Sequence, residues 1–149
     1  MIRQDVFERC SQLAQDAGYA FTLDGAADED GNNAFLPTYC TRTKDFRKTK
    51  LAGHNVWLNA PFACLKSFIQ HYLQERQQAP EQTSCMIVVP CWERASWWPL
   101  LEDWELVDEF DVGTQLFTAP PLRGQKNRRV LGPTRWPVRI YWAALQRRN

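Results

Sequence analysis

The chain has 149 residues, of which 44% are hydrophobic, 23% charged and 13% aromatic, with a formal net charge of +1. That length supports one domain with a real core and is too short for two typical ones, and the composition is globular. No apolar run is long enough to cross a bilayer, and residues 1–18 read as a charged helix rather than a signal peptide.

The five cysteines, Cys10, Cys40, Cys64, Cys85 and Cys91, are odd in number and contain no Cys-x-x-Cys pair. They are expected to be reduced thiols of an intracellular protein, in nucleus or cytoplasm, with no metal site.

Residues 2–17 read as an amphipathic helix with Val6, Cys10, Leu13, Ala14 and Ala17 on one face, stopped at Gly18. Residues 19–23 read as a strand, with Asp24 at its carboxyl end. An acid there suits hydrogen bonding to a ribose or an amino-acid group, as in nucleotide-binding folds; the alternative is a solvated turn acid beside Asp28, Glu29 and Asp30. Residues 25–33 form a polar loop without a Gly-x-Gly pattern, and residues 34–40 are apolar enough to pack. Arg42, Lys44, Arg47, Lys48 and Lys50 follow, with Asp45 the one acid among them. Such a run is either a solvated face or an arm that contacts phosphates.

The stretch His54-Asn55-Val56-Trp57-Leu58-Asn59-Ala60-Pro61-Phe62 is the most informative. Val56 to Leu58 form a short buried strand, which Pro61 cannot extend. Beyond Phe62 the period becomes helical, with Leu65, Phe68, Ile69, Tyr72 and Leu73 on one face, ending near Gln78. Asn59 therefore stands at the carboxyl end of a strand, where open α/β sheets bind ligands. Its side-chain oxygen and the Ala60 carbonyl are acceptors, and Phe62 offers a flat ring, so the turn is suited to a planar base bearing an amino group. The plainer reading is an Asn-containing turn with Phe62 in the core.

Residues 85–89 are continuously apolar, as in a central strand covered on both faces. Residues 91–101 carry Trp92, Trp97 and Trp98, which read as packing under a short helix or as pocket lining. Residues 102–111 are acidic and read as a strand near a sheet edge, with Leu106, Val107 and Phe110 buried. A short strand is expected at 115–118, a loop at 119–133 and a last strand at 137–142 with Val138, Ile140 and Trp142 on one face. From residue 119 onward the charged side chains are Arg123, Lys126, Arg128, Arg129, Arg135, Arg139, Arg147 and Arg148, with no acid.

Strand, Asn59-Ala60-Pro61-Phe62, helix resembles the strand, Asn-Pro-Pro-Tyr/Phe, helix signature of amino methyltransferases that use S-adenosylmethionine, with one Pro replaced. Phe21-Thr22-Leu23-Asp24-Gly25-Ala26-Ala27 is similar to the Leu-Asp-x-Ala-Ala segment of small phage-type Dam adenine methyltransferases. The run 55–89, Gly113-Thr114-Gln115-Leu116-Phe117-Thr118 and Gly132-Pro133-Thr134-Arg135-Trp136-Pro137-Val138 resemble a Dam-like domain carried in retroelement polyproteins of algae and oomycetes.

The resemblance implies a single α/β domain with a reduced Rossmann-like methyltransferase sandwich, its sheet mostly parallel with an antiparallel strand near the C-terminus. Five or six strands are expected. It implies methyl transfer to adenine in DNA, single-stranded or flipped from a duplex. Asn59, Ala60, Pro61 and Phe62 would be catalytic, and Asp24 and Ala26 would contact the cofactor. Arg42, Arg47, Lys48, Arg123, Lys126, Arg128 and Arg129 would contact nucleic acid, and other polyprotein domains would be possible partners. The alternative is a module derived from a methyltransferase that binds nucleic acid without catalysing; a third reading is a protein-interaction domain that uses its tryptophans.

Overall fold

The computed structural model describes residues 1–119 and 122–143; Arg147 and Arg148 of the basic C-terminal third lie outside them. In chain order the elements are α1 (Gln4–Asp16), β1 (Leu23–Asp24), β2 (Asn55–Leu58), α2 (Leu65–Arg76), β3 (Ser84–Pro90), β4 (Glu105–Phe110), β5 (Thr118–Ala119), β6 (Arg129–Val130) and β7 (Val138–Ala143). Short 3-10 turns cover Phe46–Lys48, Phe62–Cys64 and Trp98–Leu101. Five strands form one sheet in the order β1-β2-β3-β7-β4, and β5 pairs with β6 in a separate hairpin. β1, β2 and β3 are parallel; β7 runs antiparallel to both β3 and β4. The fold is therefore mixed α/β.

Side chains alternate across the sheet, as the pleat requires. Val56 and Leu58 of β2, with Cys85, Ile87 and Val89 of β3, join Leu65, Phe68, Ile69 and Tyr72 of α2 in one core. Trp57, Met86 and Val88, with Val138, Ile140 and Trp142 of β7, join Val6, Phe7, Cys10 and Ala14 of α1 in the other. Every residue of β3 is buried, which explains why its sequence is apolar without alternation. The Tyr72 hydroxyl donates to the Thr83 carbonyl at 3.2 Å, so this buried hydroxyl of α2 is satisfied.

Four expectations need correction. Leu13 is 44% exposed and Ala17 is also at the surface, while Phe7 takes the core position. Phe7 stacks on Phe35 at 4.1 Å and meets Trp57 edge-on, which rotates the buried stripe of α1 toward it. The first strand covers Leu23–Asp24 alone, because the Asn55 N–H donates to the Thr22 hydroxyl rather than to a main-chain carbonyl. Leu106 is 49% exposed, since β4 is the edge strand and has a neighbour on one side only. The loop expected at 119–133 contains β6 and thus half of a hairpin. All five cysteines are free, with Cys64 and Cys91 partly exposed. Among the described residues no helix is long and apolar enough to cross a membrane.

Gly25 follows β1 where the backbone comes closest to β2. A Cβ there would stand 2.7 Å from Leu58 Cδ1 and 3.1 Å from Phe46 Cδ2, both on buried side chains. Gly25→Ala is expected to destabilise the domain by about 1–3 kcal/mol through overpacking, read as a lower midpoint in denaturant with an unchanged slope.

Candidate functional site

Leu23 lies level with Val56 and Asp24 with Trp57, so the parallel pair β1 and β2 ends at the same edge of the sheet. The Gly25 N–H donates to the Trp57 carbonyl at 2.8 Å, which carries the chain over that edge. Asp24 is 2% exposed. One of its carboxylate oxygens accepts the Ala26 N–H at 3.2 Å and the other the Phe35 N–H at 3.0 Å. The loop between them is closed by Asn33, whose side-chain oxygen accepts the Asp28 N–H at 2.6 Å.

On the neighbouring strand, Asn59 and Ala60 leave β2, Pro61 turns the chain and Phe62 opens the 3-10 turn that leads into α2. Asn59 is half-buried, and its amide makes no hydrogen bond among the described residues. Ala60 is 2% exposed and packs in the α2-side core. Phe62 contacts Trp92 and Phe117 edge to face, each at 5.9 Å between ring centres, which fixes its plane.

These segments enclose a cavity of about 330 Å³. Asp24, Ala26, Asn59, Ala60, Pro61 and Phe62 all line it. The structure thus brings together the six residues expected to be catalytic or cofactor-binding. Phe35, Trp57 and Phe117 give it aromatic walls, and Asp28, Asn33 and Thr118 add polar groups that sequence reasoning did not single out as site residues. Phe117 and Thr118 belong to the β5 approach, where Ile2 bridges Phe117 and the Thr118 N–H donates to the Met1 carbonyl. That contact spans the chain, so no local pattern could have revealed it. The volume lies at the lower end of the range of small-molecule sites.

The basic residues divide. Arg42, Lys48, Arg123 and Lys126 are exposed. Arg47 is exposed as well, yet its guanidinium is held by Asp45 at 2.8 Å and lies 5.2 Å from the centre of the Phe68 ring. Arg129 is exposed on β6, whereas Arg128 is half-buried and pairs with Asp28 at 3.1 Å. The turn that holds Arg42 is tied to the cavity loop through the Thr43 N–H and the Glu29 carboxylate, at 2.6 Å. Arg123 and Lys126 occupy the hairpin whose Thr118 lines the cavity. The acidic strand β4 lies at the opposite edge of the sheet from β1.

No known family model matches the chain, and no curated protein matches it.

Burial pushes the Asp24 carboxyl up to about 6 from an ordinary value of 3.8; the two backbone N–H bonds and the nearby Met1 amino group pull more weakly the other way. A folded value above the unfolded one means that folding takes up a proton between about pH 4 and 6. The contribution of this group to stability is full below pH 4 and is lost as pH rises through 6. Wild type should therefore lose about 2–3 kcal/mol relative to Asp24→Asn between pH 4 and pH 7. Denaturant titrations of both proteins at each pH check this; parallel curves would contradict it.

Proposed function

We propose that the domain is an S-adenosylmethionine-dependent amino methyltransferase acting on adenine in DNA, built on a reduced Rossmann-like methyltransferase sheet. One observation carries the reading: Asp24 and the Asn59-to-Phe62 turn, far apart in sequence, line a single aromatic-walled cavity at the carboxyl ends of adjacent parallel strands. The strand order adds support, since the one antiparallel strand of the main sheet is its last in sequence and inserts between β3 and β4.

The residues present fit the cofactor by their chemistry. The aromatic rings suit a flat heterocycle, and Asp24 accepts hydrogen bonds. When bound, S-adenosylmethionine supplies an electrophilic methyl group. The Asn59 side-chain oxygen, without a hydrogen bond among the described residues, accepts from the amino group of the base and holds its nitrogen in line for attack. Phe62 supports the plane of the base, an interaction worth roughly 1–3 kcal/mol in single-strand binding systems. Proton loss follows transfer, so no strong base is required at the start, and the rate comes chiefly from positioning. Ala60 in place of a second Pro leaves its backbone carbonyl available as an acceptor.

A second reading is a methyltransferase-derived module that binds nucleic acid without catalysing. Gly25 favours it, because the space its missing side chain leaves is taken by Leu58 and Phe46 rather than open to a ligand. Calorimetry with S-adenosylmethionine separates the two: binding supports the enzyme, and DNA binding without cofactor binding supports the module.

Asn59→Ala should abolish methyl transfer to mixed-sequence DNA while leaving the melting temperature within a few degrees of wild type, as expected for a group that acts as the amine attacks. Wild-type turnover in this variant would make Asn59 a turn residue only. Replacing Arg123 and Lys126 with Ala should weaken DNA binding and make the slope of log affinity against log salt shallower by up to about two, near 0.9 for each lost phosphate contact on duplex DNA. An unchanged slope would assign them to solubility.

A further inference from the structure

The two edges of the main sheet differ. Beyond β1, residues 38–40 complete the sheet: the Asp24 N–H donates to the Thr38 carbonyl at 3.0 Å and the Cys40 N–H to the Asp24 carbonyl at 2.8 Å. At the other edge β4 bonds to β7 on its inner side, and no strand among the described residues pairs with its outer side. Main-chain groups along such an edge are a template for a further strand.

Both faces beside β4 have room for the side chains of an added strand. On the α1 side a groove of about 520 Å³ separates helix from strand, lined by Cys10, Leu13 and Asp16 of α1 and by Val107 and Asp108 of β4. Leu13 is exposed there. On the α2 side Leu106 lies level with Tyr141 and is also exposed. Because a strand alternates its side chains, one set falls over the groove and the other beside Leu106.

Charge decides what kind of strand fits. β4 contains Glu105, Asp108 and Glu109, and Asp111 follows it. Asp108 is paired with Arg9 and Glu109 with Arg139. Glu105 and Asp111, exposed at the two ends of the strand, make no ion pair among the described residues. A second copy of β4 laid on this edge would set acid against acid, which destabilises a strand pair. The register shift between Leu106 and Asp108 adds a local twist that also resists self-pairing. Nucleic acid would meet the same repulsion. A segment carrying Lys or Arg meets attraction instead.

We propose that the outer side of β4 is a docking site for an extended, basic segment of a partner protein, which joins the sheet as an additional strand. Its main chain pairs with β4, its apolar side chains enter the groove beside Leu13 and Val107, and its cations meet Glu105, Glu109 and Asp111. This goes beyond the methyltransferase reading and does not depend on it, since β4 and the cavity lie at opposite edges of the sheet.

A twelve-residue peptide of alternating Lys and Val, blocked at both ends and fluorescently labelled, is the probe; a peptide of alternating Lys and Pro keeps the charge and cannot extend a ladder. By anisotropy the Lys-Val peptide should bind at least about tenfold more tightly than the Lys-Pro peptide. At saturation it should slow hydrogen exchange in residues 105–110 by at least about tenfold while leaving DNA binding unchanged. Glu105→Lys with Asp111→Lys should weaken the Lys-Val peptide at least about tenfold with little change in melting temperature. Failure of the Lys-Val peptide to bind, equal binding of the two peptides, or unchanged exchange in β4 would overturn the proposal. Should the double variant fail to melt cooperatively, Glu105→Gln with Asp111→Asn removes the charges without reversing them and is expected to weaken binding in the same direction; undiminished binding there would also overturn it.

Discussion

The Asp24 carboxylate accepts the backbone N–H groups of Ala26 and Phe35, the latter eleven positions further along the chain, and the shape of the cavity wall follows from that pair of bonds. A carboxylate that is 2% exposed is costly to ionise, and the donors around it are what make the position tenable. The same residue belongs to the sheet: its carbonyl accepts the Cys40 N–H and its own N–H donates to Thr38. Strand end, loop and cavity floor thus share one side chain. Asp24 is both a framework for the cavity and a wall of it, so the shape of the cavity and the stability of the domain are coupled there.

The fold was legible wherever burial imposes a pattern. β3 is enclosed on both faces and its apolar run marked it; α2 presents Leu65, Phe68, Ile69 and Tyr72 to the core at helical spacing. The reading failed where a neighbour distant in sequence decides the outcome. Phe7 displaces Leu13 from the core because Phe35 and Trp57 are waiting for it, and Leu106 stays exposed because no strand among the described residues flanks β4 on its outer side.

For the candidate site, the strand-to-helix switch around Asn59 was sufficient to place that turn at the sheet edge where the cavity lies. Phe117 and Thr118 could not be placed without the tertiary fold, because they join the wall through the chain's first residues. Charge runs describe which residues can meet phosphate, and only the tertiary fold shows that Arg128 is paired with Asp28. Exposed positive charge at Arg42, Lys48, Arg123 and Lys126, attached to the loop and hairpin beside the cavity, lies away from the acidic strand at the far sheet edge.

The position of β7 has a consequence for how the molecule is made. The strand pairs with β3 along six positions and with β4 along five, and it is the one element that joins them. Until residues 138–143 have left the ribosome, β3 offers an unpaired edge of buried apolar residues and β4 has no sheet to join. Pairing across that separation comes late and slowly, because a long loop must close before the contacts form. A nascent or truncated chain ending before residue 138 is therefore a sticky intermediate whose exposed strand invites pairing with other chains, and a chaperone would find its binding surface there.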